Sequence, residues 1–120
     1  MVEKMFTIFG GKSGEYPQKL YKALMNSQTV LTVWDDARLV GLIRVLDDSE
    51  MLAQIHYVLV HPEYQGQGIA GRMVEYIKEK YKNFMYLELM PEDKNNVPFY
   101  EKHGFHVMEN GAAMQICNIN

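Results

Sequence analysis

The sequence predicts an α/β fold, a single mixed and mostly antiparallel sheet with one central parallel pair and flanking helices. Three observations predict it. Three β-rich runs follow one another across short polar turns, and an amphipathic helical stretch then separates the third run from another apolar run. No repeat, low-complexity tract or linker interrupts the order, so residues 1–120 are expected to form one domain.

Taken in order, Lys4 to Phe9 alternates weakly and ends at Gly10-Gly11, a short first strand. "YPQKLYKALMNS" then places Tyr16, Leu20 and Leu24 at helical spacing, with Pro17 in a first turn that needs no N–H donor. "TVLTVW" and "LVGLIRVL", joined through "DDAR", read as a hairpin, and "DDSE" turns the chain into a third run, "MLAQIHYVLV". Next, Ala70, Met73, Val74, Ile77 and Tyr81 share one helical face while Arg72, Glu75, Lys78, Glu79 and Lys82 fall elsewhere, a helix of about four turns. "FMYLELM" reads as a strand buried on both sides. Strand, helix and strand make a crossover, so Val58 and Leu87 are expected on parallel neighbours. Asn95 or Asn96 can cap a short helix that accepts Pro98 and stops at Gly104. "FHVM" and "AMQICNI" are the last two expected strands, joined by "ENGA".

Composition narrows the function. Hydrophobic residues make up 48% of the chain, enough for one core, and a net charge of -3 argues against a general nucleic-acid binder. From Asp35 to Glu63, six acidic residues stand against Arg38 and Arg44 alone. That section is either a solvated hairpin surface or a field favouring cationic ligands. A lone Cys117 excludes an internal disulfide and a Cys-rich metal site, so no metal is expected and a reducing compartment is. No run approaches the roughly 20 apolar residues of a membrane span. A cytoplasmic protein without membrane contact is the expectation.

The most informative stretch is "HPEYQGQGIAG", from His61 to Gly71, which sets three glycines within six positions directly before the amphipathic helix. Glycine weakens a helix by about 1 kcal/mol relative to alanine, so a helix start built this way needs a reason. Two nucleotide-binding motifs fail. "GKS" at Gly11 to Ser13 lacks the glycine required five positions earlier, where Phe6 stands. Gly66, Gly68 and Gly71 fit G-x-G-x-x-G, with Glu88 about twenty residues on, but Pro62 and its neighbours separate the preceding strand from Gly66 and only one crossover follows. Two local readings remain: the glycines only turn the chain or let the helix pack closely, or, as three of them beside Gln65 and Gln67 favour, a glycine turn at a helix N-terminus bares backbone N–H groups and adds the positive end of the helix dipole, a cradle for phosphate.

Val60 to Ala70, with Gln65, Gly68 and Ala70 in a Gln/Arg-x-x-Gly-x-Gly/Ala signature, and the later "VPFYEKHGF" from Val97 to Phe105 resemble the GNAT superfamily of N-acetyltransferases. The resemblance runs from Thr29 to the end. It implies acetyl-CoA as co-substrate, with backbone amides of Gln65, Gly66, Gln67, Gly68, Ile69, Ala70 and Gly71 on its pyrophosphate and the pantetheine arm along a free edge at Val58, Leu59 and Val60. It further implies Tyr100 as proton donor to the departing thiolate, a role suited to a phenol with pKa near 10. The family's CoA-contacting asparagine, seven residues before that tyrosine, is Asp93 here, which leaves Asn95 or Asn96, and Asn96 is carried as the candidate.

An alkyl ammonium is less than about 0.1% neutral at pH 7, an obstacle of roughly 4 to 5 kcal/mol that a base lowers. "IHYVLVH" resembles the strand of arylalkylamine N-acetyltransferases whose histidine removes the amine proton, which points to His56; Glu88 on the neighbouring strand is the other candidate. His61 and His103 are expected to do no chemistry. The expected function is direct acetyl transfer to a primary amine of a small molecule or peptide; the alternative is a non-catalytic CoA-binding sensor or regulatory module. The acceptor site of so small a member is expected to be either shallow or completed by the second subunit of a homodimer.

Overall fold

The computed structural model describes residues 15–118, so the expected strand at Lys4 to Phe9 lies outside the described residues. By contacts the chain falls into two compact units, one up to Leu89 and one from Met90 onward.

The first unit opens with helix α1 (Pro17–Met25), whose proline sits in the first turn and whose Leu20 is buried. Strands β1 (Thr29–Asp35), β2 (Arg38–Asp47) and β3 (Leu52–Val60) form the expected meander, antiparallel throughout. Asp36 makes the first turn at φ 50° and Ser49 the second at φ 73°, left-handed positions that short polar side chains tolerate better than bulky ones. Asp48 tightens that second turn, its Oδ1 accepting from the N–H groups of Glu50, Met51 and Leu52. These bonds favour the carboxylate and hold its pKa below the ordinary value.

A one-turn 3₁₀ helix (Pro62–Tyr64) and the glycine loop lead to helix α2 (Ile69–Lys80), 12 residues long and slightly shorter than expected. Met73, Val74 and Ile77 of α2 are buried, and the helix packs on β2 and β3. Gly41 lets it approach: a Cβ there would stand 3.2 Å from Ile69 Cγ2, Met73 Sδ and Val33 Cβ. At the helix end, the Tyr81 hydroxyl donates to Asp47 Oδ2 at 2.6 Å and lies 2.7 Å from Thr29 Oγ1. Burial and that carboxylate raise the Tyr81 pKa.

Strand β4 (Tyr86–Leu89) then pairs with β3 in parallel, as the crossover predicts, in the order β1-β2-β3-β4. The register sets Leu87 beside Ala53, five residues before Val58. β4 is also shorter and wetter than expected, with Tyr86 exposed and the rest half-buried.

The second unit contains a 3₁₀ turn (Lys94–Asn96) and helix α3 (Val97–Lys102). Asn96 occupies the cap position of α3 but its side chain makes no capping bond; the side chain that caps is Asp93, at the start of the 3₁₀ turn, whose Oδ1 accepts from Asn95 N at 2.9 Å. "FHVM" and the described part of "AMQICNI" form no strand. Their turn does form, Gly111 N donating to Met108 O at 3.0 Å, yet its arms make no ladder, so the parallel pair lies at one side of the described sheet.

Candidate functional site

β3 changes character at His56. Between Arg44 and Val45 the β2 register advances one residue while β3 advances two, from Tyr57 to Ile55, so His56 is the extra residue of a β-bulge. Bulges bend a strand, re-aim side chains and gather beside active sites. β4 pairs only Leu52 to Ile55, and from His56 to Val60 no described strand pairs with the outer edge of β3. Here His61 N donates to Val40 O on β2. Antiparallel alternation therefore turns the backbone groups of Val60 and Val58 to the open edge. The Gln65 side chain confirms that direction for Val60, its Nε2 donating to the Val60 carbonyl at 3.3 Å.

The loop continues from that edge. His61 caps the 3₁₀ turn, Nδ1 accepting from Glu63 N at 3.1 Å, which is a structural use of this histidine. Gly66 and Gly68 adopt φ of 82° and 81°, and a Cβ at either would meet nothing within 4 Å. Backbone conformation rather than room selects glycine there. Gly68 is the N-cap of α2 and supplies no side-chain bond; helical bonding begins with Arg72 N on Gly68 O at 3.1 Å. The N–H groups of Ile69, Ala70 and Gly71 thus open α2 without a side-chain acceptor, beside exposed Gln67. An anion placed there meets oriented donors and the helix dipole.

A clasp that no local spacing announces holds the 3₁₀ turn to the β1–β2 turn. Arg38 Nη2 donates to Glu63 Oε2 at 2.6 Å, the Tyr64 hydroxyl donates to Asp35 Oδ2, and the guanidinium lies 5.5 Å from the Tyr64 ring centre. The bond to Glu63 raises the Arg38 pKa, and the bond to Asp35 raises that of Tyr64. Much of the acidity between Asp35 and Glu63 is therefore engaged within the fold: Asp35, Asp47, Asp48 and Glu63 all accept hydrogen bonds.

His56 is exposed and contacts Arg44, whose Nη1 lies 2.6 Å from its Nδ1. Arginine only donates, so Nδ1 is the lone-pair nitrogen and the neutral ring carries its proton on Nε2. Glu88 pairs with Gln54 in the β3–β4 register, before the bulge, and is half-buried. The structure thus sets His56, Val58, Leu59, Val60 and the loop from Gln65 to Gly71 along one strand and its continuation. In the second unit, Tyr100 on α3 is half-buried among rings, 5.0 Å from Phe99 and 5.9 Å from Phe105 by centroids. Burial raises its pKa.

Known proteins agree with this architecture. The model of the acetyltransferase (GNAT) family matches residues 2–105. An uncharacterized N-acetyltransferase from Prochlorococcus marinus is 28% identical over 78% of this chain and 55% of its own length. Another, from Bacillus methanolicus, is 34% identical over 60% of this chain and 58% of its own. The chain thus spans little more than half of these two relatives. Among solved structures, a GNAT family acetyltransferase from Streptococcus pneumoniae has a TM-score of 0.80 at 27% identity, covering 99% of this chain and 88% of that one. A GNAT family acetyltransferase from Elizabethkingia anophelis, solved with acetyl-CoA bound, shares the fold at a TM-score of 0.66 and 18% identity, covering 87% of this chain and 67% of that one.

Proposed function

Because the chain belongs to the acetyltransferase (GNAT) family, we propose that it transfers an acetyl group directly from acetyl-CoA to a primary amine of a small molecule or peptide. One observation carries the reading. The β3 edge left open after His56 runs into a loop whose two left-handed glycines deliver an uncapped helix N-terminus. An extended thioester arm fits such an edge as an added strand, and a pyrophosphate fits the loop. The acetyl-CoA bound to the Elizabethkingia anophelis protein of the same fold supports the choice of ligand. The family match passes through both compact units, which supports treating residues 1–120 as one acetyltransferase domain.

In this reading the Val58 N–H polarises the thioester carbonyl, the step that electrostatic preorganisation assists most. His56 or Glu88 takes the ammonium proton, directly or through water, and the neutral amine attacks. Collapse of the tetrahedral intermediate expels the CoA thiolate, Tyr100 protonates it, and the surplus proton on the new amide nitrogen returns to the phenolate, directly or through water. Its raised pKa suits the role because burial keeps the donor proton in place. Asn96 is the remaining CoA contact proposed.

Calorimetric titration with acetyl-CoA, with NAD as the matched control, tests the ligand. Saturable binding of acetyl-CoA alone supports the reading; binding of NAD alone makes Gly66, Gly68 and Gly71 a dinucleotide site and defeats it. Tyr100→Phe tests the acid: turnover falls by about 10²-fold or more with acetyl-CoA affinity kept. An unchanged rate removes the role. Since the neutral phenol is favoured, any basic limb that Tyr100 gives the pH–rate profile lies above the ordinary phenol value near 10.

A further inference from the structure

Among the described residues, Arg44 has only uncharged partners. Its Nε donates to Ser27 Oγ at 2.8 Å, its Nη1 to His56 Nδ1 at 2.6 Å, and its Cζ stands 5.8 Å from the Tyr57 ring centre. Ser27 is itself held, its Oγ donating to Ala23 O at 2.7 Å. The ion pairs among the described residues are Arg38–Glu63, Lys78–Glu75 and Lys82–Glu79, and none includes Arg44. Of its five N–H donors, these bonds occupy two. A half-buried guanidinium with donors to spare and no countercharge among the described residues is matched by a planar, bidentate anion.

Position gives that anion an identity. Arg44 stands opposite Tyr57 in the β2–β3 register, next to the His56 bulge and one strand from the edge where the thioester is proposed to lie. Adjacent strands are about 4.8 Å apart, a distance a short amino acid spans. We propose that Arg44 binds a carboxylate of the acceptor, so that the substrate class is amino acids rather than polyamines or simple arylalkylamines. This rests on the acetyl-transfer reading above.

The same contact couples binding to the base. Nδ1 of His56 is occupied by Arg44, and a carboxylate is the stronger acceptor for a guanidinium. An arriving carboxylate draws Arg44 away, the lone pair on Nδ1 takes one proton from the acceptor's ammonium, and the neutral amine that remains attacks the thioester. Removing Arg44 therefore relieves His56 but discards the feature that selects the substrate.

The test measures CoA thiol release by the full chain with a panel of L-amino acids and with the amines left by removing each α-carboxylate. The expected result is a kcat/KM at least tenfold higher for the amino acids. Arg44→Gln brings that ratio toward one through the KM of the amino acids, and Arg44→Lys, keeping charge without the fork, falls between. Equal or faster turnover of the simple amines by the wild type overturns the proposal, as does an equal loss with both classes in a folded Arg44→Gln. If that variant does not fold, the wild-type ratio and Arg44→Lys decide. If no acceptor is turned over, the ¹⁵N resonance of Arg44 Nε is followed during titration with the same amino acids and amines. Saturable displacement by an amino acid alone upholds the site, and no displacement overturns it. Failure to bind acetyl-CoA would defeat the acetyl-transfer reading by itself, because this resonance reports without it.

Discussion

The two halves of β3 are built for different ends. From Leu52 to Ile55 the strand is paired on both sides, and Ala53 and Ile55 are buried. From His56 to Val60 it is paired with β2, β4 is gone, and no residue is fully buried. The bulge divides them. A doubly paired, buried half contributes stability through packing, whereas a singly paired half carries backbone groups that can be offered to a ligand. Substitutions on the two sides should therefore be read by different measurements.

The largest expected effect lies in the first half. Ile55→Ala removes buried methyl groups and should cost about 2 to 5 kcal/mol of stability. Acetyl-CoA affinity of the fraction that remains folded should scarcely change. Denaturant unfolding and calorimetry separate the two; a large affinity change at unchanged stability would erase the distinction.

Val58→Pro reverses the pattern. The Val58 N–H faces the open edge rather than β2, and proline is tolerated where no ladder donor is lost. Stability should move less than in Ile55→Ala, while turnover falls about 10²-fold, as when one oxyanion donor is removed. Loss of fold without a specific rate effect would show that the edge N–H serves the sheet after all.

The contrast also explains what could be read from the sequence. Three strands and α2 were legible because each writes its period within a few residues and its partner is the next element along the chain. The glycine loop was legible because φ near +80° at Gly66 and Gly68 demands glycine. "FHVM" and "AMQICNI" carry strand composition yet form no ladder among the described residues; propensity records that a run suits a sheet, not that a partner edge waits for it. Nor was the bulge legible. There Arg44 meets His56 from 12 residues away, and beside β1 it meets Ser27 from 17, contacts that leave no mark in local spacing.

The smallest expected effect belongs to the clasp at the far end of the second half. Arg38 and Glu63 are 49% and 66% exposed, and so open a pair, screened by solvent, contributes little to stability. His61 already caps the 3₁₀ turn, and the glycines fix their own backbone, so the loop does not depend on this pair for its shape. Arg38→Ala should weaken acetyl-CoA binding less than about fivefold, and the gap to wild type should close as salt screens the pair. A weakening beyond tenfold that persists at high salt would mean that the β1–β2 turn, through Arg38, shapes the loop, and the open half of β3 would then extend its functional reach across the sheet to β1.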